Sequence, residues 1–318
     1  TYLSVFHPDI MAFLSTKKEN ADEKVRVKTL SLGITVPDKY YELVRTNSDM
    51  FLFSPYDVER LYGKPFSYVD ITAEYDNLLA NDQVKKYRIR ARDLEQEIAK
   101  LQQESGYPYI INIDIANRAN PINGKIVMSN LCSEILQVQS PSVINDDQSY
   151  QTMGTDISCN LGSTNVVNLM QTADFEKSID SMVKALTFVT DNSDIDAVPT
   201  IRNGNQKAHT IGLGAMGLHS YLAKHHIAYG SPESIEFTDI YFMLLNFYTL
   251  KSSMNIARKM KQTFEGFAQS KYADGSYFEQ YIEDKNLSDK VASLFEGIHV
   301  PTAADWQALR KDIMATGL

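Results

Sequence analysis

A chain of 318 residues with 43% hydrophobic residues can bury a substantial core, as one large domain or two smaller ones. Its formal charge of −9 excludes a general affinity for nucleic acid, which needs clustered Lys and Arg against phosphate. It leaves open a small anionic substrate held by local backbone donors.

No apolar run approaches the roughly 18 residues that cross a bilayer, so no membrane partner is expected and the cytoplasm is the expected compartment. The chain opens on Thr1 inside an apolar, strand-like stretch and reads as a piece of something longer. Its two cysteines, Cys132 and Cys159, form no CxxC and make neither a disulfide scaffold nor a zinc site. They are read as reduced thiols, with buried structural cysteines as the alternative.

Pro8 suits a first helical turn, and Ile10, Met11, Phe13 and Leu14 supply a short apolar face. Lys17 to Lys24 is charged and loop-like. Val25 to Val36 alternates and is rich in β-branched residues, which predicts a strand. A helical pattern follows from Pro37, and Met50-Phe-Leu-Phe53 predicts a short buried strand before Ser54-Pro55. Val84 to Glu104 has no Gly or Pro, and its charges surround Ile89, Leu94, Ile98 and Leu101, which predicts one long amphipathic helix.

Tyr107 to Ile113 predicts a buried strand, and Asn117 to Gly124 a loop. Strands are expected at Ile126-Val-Met128 and over Ile157 to Leu169, around the two cysteines. The second half reads as largely helical, with helices at Phe175 to Val189, Leu213 to Lys224, Ile235 to Lys261, Tyr277 to Ile282 and Ala303 to Thr316. Strands alternating with helices, then a helix-rich stretch, favour an α/β layer or barrel.

Chemistry concentrates in Ser129-Asn-Leu-Cys-Ser-Glu-Ile135. Asn130, Cys132 and Glu134 are spaced two apart, and an extended backbone would put an amide, a thiol and a carboxylate on one face. A strand edge whose polar face meets water, with Cys132 incidental, is the plainer alternative. Cys159 stands in Ile157-Ser-Cys-Asn-Leu-Gly-Ser-Thr-Asn165, again a strand running into polar residues. If the two segments are neighbouring strands, both sulfurs could face one cavity, whereas Cys159 could equally pack in a core.

Asn-Leu-Cys-x-Glu followed by Cys-Asn-Leu-Gly-Ser resembles the large subunit of class I ribonucleotide reductase. Further similar blocks follow the same order along most of the chain: Tyr2-Leu with Phe6-His-Pro-Asp-Ile10, Lys28 to Pro37, Phe53-Ser-Pro-Tyr56 and Thr210 to Leu218. The wording of Lys17 to Leu43 looks closest to the shorter bacterial variety, class Ib.

The resemblance implies a ten-stranded α/β barrel of which residues 1–318 are the central part of a single catalytic domain, with Cys132 on a finger loop. It implies that Cys132 forms a transient thiyl radical that takes the 3′ hydrogen of a ribonucleoside diphosphate. Glu134 would be the general base for the 3′ hydroxyl, and Asn130 would hold the ribose hydroxyls. Cys159 would be one of two thiols that reduce the 2′ carbon, and Leu161 would line the sugar pocket.

It further implies that this chain itself binds no metal or organic cofactor. The radical would come from a separate metal-bearing small subunit, electrons from a thioredoxin or glutaredoxin-like protein, and the large subunits would pair as a homodimer. The partner of Cys159 and the effector-binding region are expected upstream of Thr1. A phosphate-binding loop, a tyrosine pair and a CxxC tail are expected downstream of Leu318, so the chain by itself is not expected to turn over.

Two rival readings compete. Gly212-Leu-Gly-Ala-Met-Gly217 matches the GxGxxG pattern of nicotinamide-dependent dehydrogenases, but Arg202 to Thr210 is polar and no strand ending in Asp or Glu follows. A tight helix start with close backbone packing explains those glycines. The 18 tyrosines and the long charged helix would suit a protein-interaction module, in which Cys132 would be buried and inert. The six histidines contain no HxxxH or HExxH arrangement, so no metal site is expected.

Overall fold

The computed structural model describes residues 1–193 and 195–318. The chain divides into two compact units, one of residues 1–120 and 124–139, the other of residues 121–123 and 140–318.

The first unit is built on a parallel three-stranded sheet. Strand β1 (Tyr2–Ser4) is followed by α1 (Ile10–Ser15), and β2 (Gly33–Val36) by α2 (Asp38–Thr46). An antiparallel pair comes next, β3 (Asp49–Phe53) with β4 (Lys86–Arg90), enclosing α3 (Pro55–Tyr62) and α4 (Ile71–Ala80). Helix α5 (Ala91–Ser105), strand β5 (Tyr109–Asn112) and α6 (Ile113–Ala119) complete it. The central strand β2 pairs with β1 and β5, aligning Tyr2, Gly33 and Tyr109 across the sheet. Ile34 and Val36 of β2 join Phe6, Tyr40, Met50, Phe53 and Leu94 in the core of this unit.

Four expectations need correction in this unit. The alternating stretch from Val25 is a strand only over Gly33–Val36. Val25 and Leu30 are 56% and 52% exposed, because partner strands meet the chain only from Leu32 onward, where the Tyr109 N–H donates to the Leu32 carbonyl. Residues 84–104 are not one helix. Lys86 to Arg90 pairs with β3, and Arg88 and Arg90 reach Asp49 at 2.6 and 3.2 Å, a cross-strand arrangement that local helix propensity cannot anticipate. Ile126 to Met128 forms no strand. Both backbone groups of Ile126 are instead bonded by the Asn117 side chain, each at 2.9 Å, so an amide stands where a neighbouring strand would. Asn117 itself ends up on α6 rather than in the expected loop.

The second unit opens with the small hairpin β6 (Val143–Ile144) and β7 (Tyr150–Thr152). It continues with β8 (Leu161–Asn165), α7 (Val166–Leu169), α8 (Phe175–Asn192), α9 (Pro199–Ala208), β9 (Gly212–Met216) and α10 (Leu218–Lys224). The long helix α11 (Pro232–Met260), then α12 (Asp289–Leu294) and α13 (Ala303–Thr316), close it. Two caps delimit α11: the Ser231 hydroxyl accepts from the Ser234 N–H ahead of Pro232, and Lys261 ends the helix with φ +53°.

Helix α11 buries Phe237, Tyr241, Leu244 and Tyr248 along one face and Met243, Leu245 and Leu250 on others, as expected of a helix surrounded by its own unit. It packs with α8, α12 and α13, and Trp306 of α13 stacks on Tyr281 with ring centroids 3.9 Å apart. Residues 276–281 are a 3-10 rather than an α-helix. Among the described residues no helix is long and apolar enough to cross a membrane. The described strands form a three-stranded parallel sheet, a two-stranded parallel sheet and two antiparallel pairs, none of them a closed barrel.

The expected helix over Leu213 to Lys224 begins only at Leu218, because Gly212–Met216 is a strand parallel to β8. Gly212 lies opposite Leu161, and a Cβ on it would come within 2.4 Å of the Leu161 side chain. The spacing of these glycines therefore serves strand-to-strand approach. Gly217, with φ +80°, caps the N-terminus of α10.

Candidate functional site

Asn130, Cys132 and Glu134 do not share the face of a strand. Leu131 and Cys132 form a turn, and Ser133 has φ +68°, a left-handed conformation that costs a non-glycine residue about 1 kcal/mol. The Ser133 N–H reaches the Asn130 carbonyl at 3.4 Å.

The base of the turn is stitched by its own side chains. The Asn130 Oδ1 accepts from the Ile135 N–H at 3.2 Å and from the Ser129 hydroxyl at 3.1 Å. The buried Ser129 hydroxyl lies 2.6 Å from the Ile135 carbonyl. Asn130 thus shapes the loop that presents Cys132 by accepting the Ile135 N–H across its base.

The tip of the turn is open. Leu131, Cys132 and Glu134 are exposed, and Ile135 is buried as the anchor behind them. A thiol and a carboxylate two residues apart on an exposed turn can both meet a substrate. The phenol of Tyr109 on β5 is held above the usual tyrosine range. The neighbouring Tyr107 is the largest cause, desolvation follows, and Cys132 and Tyr2 add smaller electrostatic contributions. The Tyr107 and Tyr109 rings are 5.3 Å apart.

Cys159 and Leu161 belong to the second unit. The expected strand over Ile157 to Leu169 begins only at Leu161 and gives way to α7 at Val166. Its partner among the described strands is β9, so the expectation that the segments of Cys132 and Cys159 are neighbouring strands does not hold. Cys159 is exposed, just ahead of β8, and Leu161 is exposed at the start of the strand.

Asn160 fixes the Cys159 segment from behind. Its amide nitrogen lies 2.7 Å from the Ser158 hydroxyl, 2.9 Å from the Thr190 hydroxyl on α8 and 3.0 Å from the Asn205 Oδ1 on α9. Asn205 is buried and donates to the Thr190 carbonyl at 2.7 Å. Helix α9 approaches so closely that a Cβ on Gly204 would lie 2.2 Å from the Asp156 carbonyl oxygen.

These supporting residues were missed by sequence reasoning. Asn203-Gly204-Asn205 reads only as polar sequence until helix α9, which carries it, is known. The only local signal was a glycine between two amides.

Many tyrosines are core residues rather than an interaction surface: Tyr40, Tyr75, Tyr221, Tyr241 and Tyr248 are all buried. Cys132 is exposed, where the interaction-module reading expected it buried. The dinucleotide-binding reading fails on the strand found at Gly212–Met216, since that motif requires its glycines in the turn between a strand and a helix.

The whole chain, residues 1–318, matches the family model described as ribonucleotide reductase, barrel domain. It is 44% identical, over all of its length and 45% of the relative's, to the ribonucleoside-diphosphate reductase subunit alpha of Mycoplasma pneumoniae. The protein of the same name from Bacillus subtilis is 42% identical over all of this chain and 46% of its own length. That from Helicobacter pylori is 28% identical over all of this chain and 45% of its own. The chain thus spans about half the length of the curated relatives it matches.

Proposed function

The chain belongs to the ribonucleotide reductase family as part of its barrel domain, and from that premise we propose that the protein it comes from reduces ribonucleoside diphosphates to 2′-deoxyribonucleoside diphosphates by thiyl-radical chemistry. The observation that carries this reading is the exposed Cys132 on a turn whose flanks supply Asn130 and Glu134.

In this reading residues 1–318 work within one catalytic domain of the class Ib type. The Cys132 thiyl radical takes the 3′ hydrogen atom, and Glu134 accepts the proton of the 3′ hydroxyl. Asn130 keeps the sugar in register, and Leu161 lines its pocket. The 2′ hydroxyl leaves as water. Two electrons and the hydrogen that replaces it come from Cys159 and a second thiol, which end as a disulfide, and the 3′ hydrogen returns from Cys132.

The remaining partners are proposals of the same kind. The radical on Cys132 is generated through a separate metal-containing small subunit, so this chain itself holds no metal or organic cofactor. A thioredoxin or glutaredoxin-like protein resets the disulfide, nucleotide effectors bind outside residues 1–318, and the large subunits act as a homodimer in the cytoplasm.

The test is conversion of CDP to dCDP by the full-length protein with its small subunit. Cys132→Ser is expected to abolish substrate consumption, and Cys159→Ser to consume CDP without yielding dCDP. Normal dCDP formation by Cys132→Ser would overturn the reading.

A further inference from the structure

The Cys132 turn is gripped from the sheet by Tyr2. The phenol oxygen of this β1 residue lies 2.8 Å from the Asn130 carbonyl, to which it donates, and 2.6 Å from the Ser133 hydroxyl. With the phenol hydrogen on Asn130, the Ser133 hydroxyl donates to the phenol oxygen, so both bonds coexist. They hold residues on either side of Cys132, one of them the left-handed Ser133, whose conformation a non-glycine residue keeps only where its surroundings impose it.

A second feature is built around the same ring. Gly33 of β2 is the register partner of Tyr2, and a Cβ there would lie 2.1 Å from a Tyr2 ring carbon. The backbone of Gly33 does not take a positive φ, so this glycine supplies room rather than conformation. The ring occupies that room and packs against Ile111, Ile113 and Ile126. The apolar packing belongs to the ring. Among the described residues the hydroxyl bonds to the turn alone.

We propose that Tyr2 is a positioning residue for the reaction of Cys132: through the Asn130 carbonyl and the Ser133 hydroxyl it holds the turn in the conformation that places the thiol, and Gly33 clears the space its ring needs. This rests on the assignment of Cys132 as the reacting thiol.

The test compares Tyr2→Phe, Ser133→Ala and the double variant in the full-length protein with its small subunit, beside Cys132→Ser. Tyr2→Phe keeps the ring packing and deletes only the hydroxyl. It is expected to lower kcat about fivefold to tenfold, the size of one or two lost hydrogen bonds. The KM for CDP should stay within about twofold, and the thermal midpoint within about 2 °C.

Alkylation of Cys132 by iodoacetamide, followed on its own peptide and without turnover, should be faster in Tyr2→Phe. The double variant should be no slower in turnover than Tyr2→Phe alone, since both changes break one grip. Wild-type kcat and alkylation in Tyr2→Phe, beside an inactive Cys132→Ser, would overturn the proposal and leave the functional reading standing. So would losses that multiply in the double variant. A fully active Cys132→Ser would overturn the functional reading, and with it the positioning role of Tyr2.

Discussion

The two cysteine-bearing segments are secured in opposite ways. Cys132 sits on a turn stitched by side chains, with Asn130 and Ser129 at its base and Tyr2 bonded to both its flanks. Cys159 sits just ahead of a strand, and its neighbour Asn160 is tied into α8 and α9. A turn held by a few hydrogen bonds can be re-aimed by one substitution while its unit stays folded. A segment clamped between a strand and two helices shares its fate with the packing around it. Changes near Cys132 should therefore be read in activity, and changes near Cys159 first in stability.

The sharpest way to break this contrast is Gly204→Val. A Cβ at this position meets the Asp156 carbonyl oxygen at 2.2 Å, and a backbone atom yields less than a side chain would. The expected loss is about 3 kcal/mol in denaturant unfolding of the full-length protein. A loss below about 1 kcal/mol would mean that α9 can slide away from the Cys159 segment.

A paired comparison of the two amides comes next in size. Asn160→Ala removes one donor group from three acceptors, one of them on the buried Asn205, and should cost about 2 kcal/mol. Asn130→Ala, on an open turn, should cost about 1 kcal/mol while suppressing CDP reduction far more than that loss explains. Equal stability costs with equal activities would erase the distinction between the segments.

The smallest effect is a titration at the Cys132 turn. The Tyr109 phenol is raised above its ordinary value, chiefly by Tyr107, so folding favours its protonated form. That contribution is complete below about pH 10, the ordinary tyrosine value, and is lost as the pH climbs through the raised value of the folded state. Ultraviolet difference titration of wild type against Tyr109→Phe should show the missing phenol titrating late. Tyr107→Phe should move that midpoint down. An unmoved midpoint would detach Tyr107 from this effect.

Several parts of this arrangement were legible along the chain. The short helix after Pro8, the helix from Phe175 and the last helix from Ala303 follow apolar periodicity that is satisfied within the segment itself, and the apolar run Met50 to Phe53 marked a buried strand. The pattern failed where a partner decided the outcome. Val25 to Ser31 alternates but pairs with no described strand, whereas Lys86 to Arg90, read as helix, found β3 and its Asp49.

The site divides along the same line. Residue identity alone singled out Cys132, Cys159, Asn130, Glu134 and Leu161, because thiols, amides and carboxylates in these motifs are chemically conspicuous. Their assumed extended geometry was wrong at Cys132, since Ser133 turns left-handed and the Asn130 side chain closes the loop. The supports Tyr2, Gly33 and Asn160 carry no local signature of their role, and Gly204 and Asn205 only that of a glycine between two amides.

By itself the sequence determined the family, the candidate side chains and the helices after Pro8, from Phe175, around Leu244 and from Ala303, for these depend on residue chemistry and on periodicity within a few turns. Only the tertiary structure decided that the thiol stands on a turn, that Tyr2 grips this turn from 128 residues upstream of Asn130, and that Gly33, Gly204 and Gly212 let neighbours approach. Hydrogen bonds and steric clearances between distant segments arise when the chain closes on itself, and the pattern of neighbouring residues does not encode them.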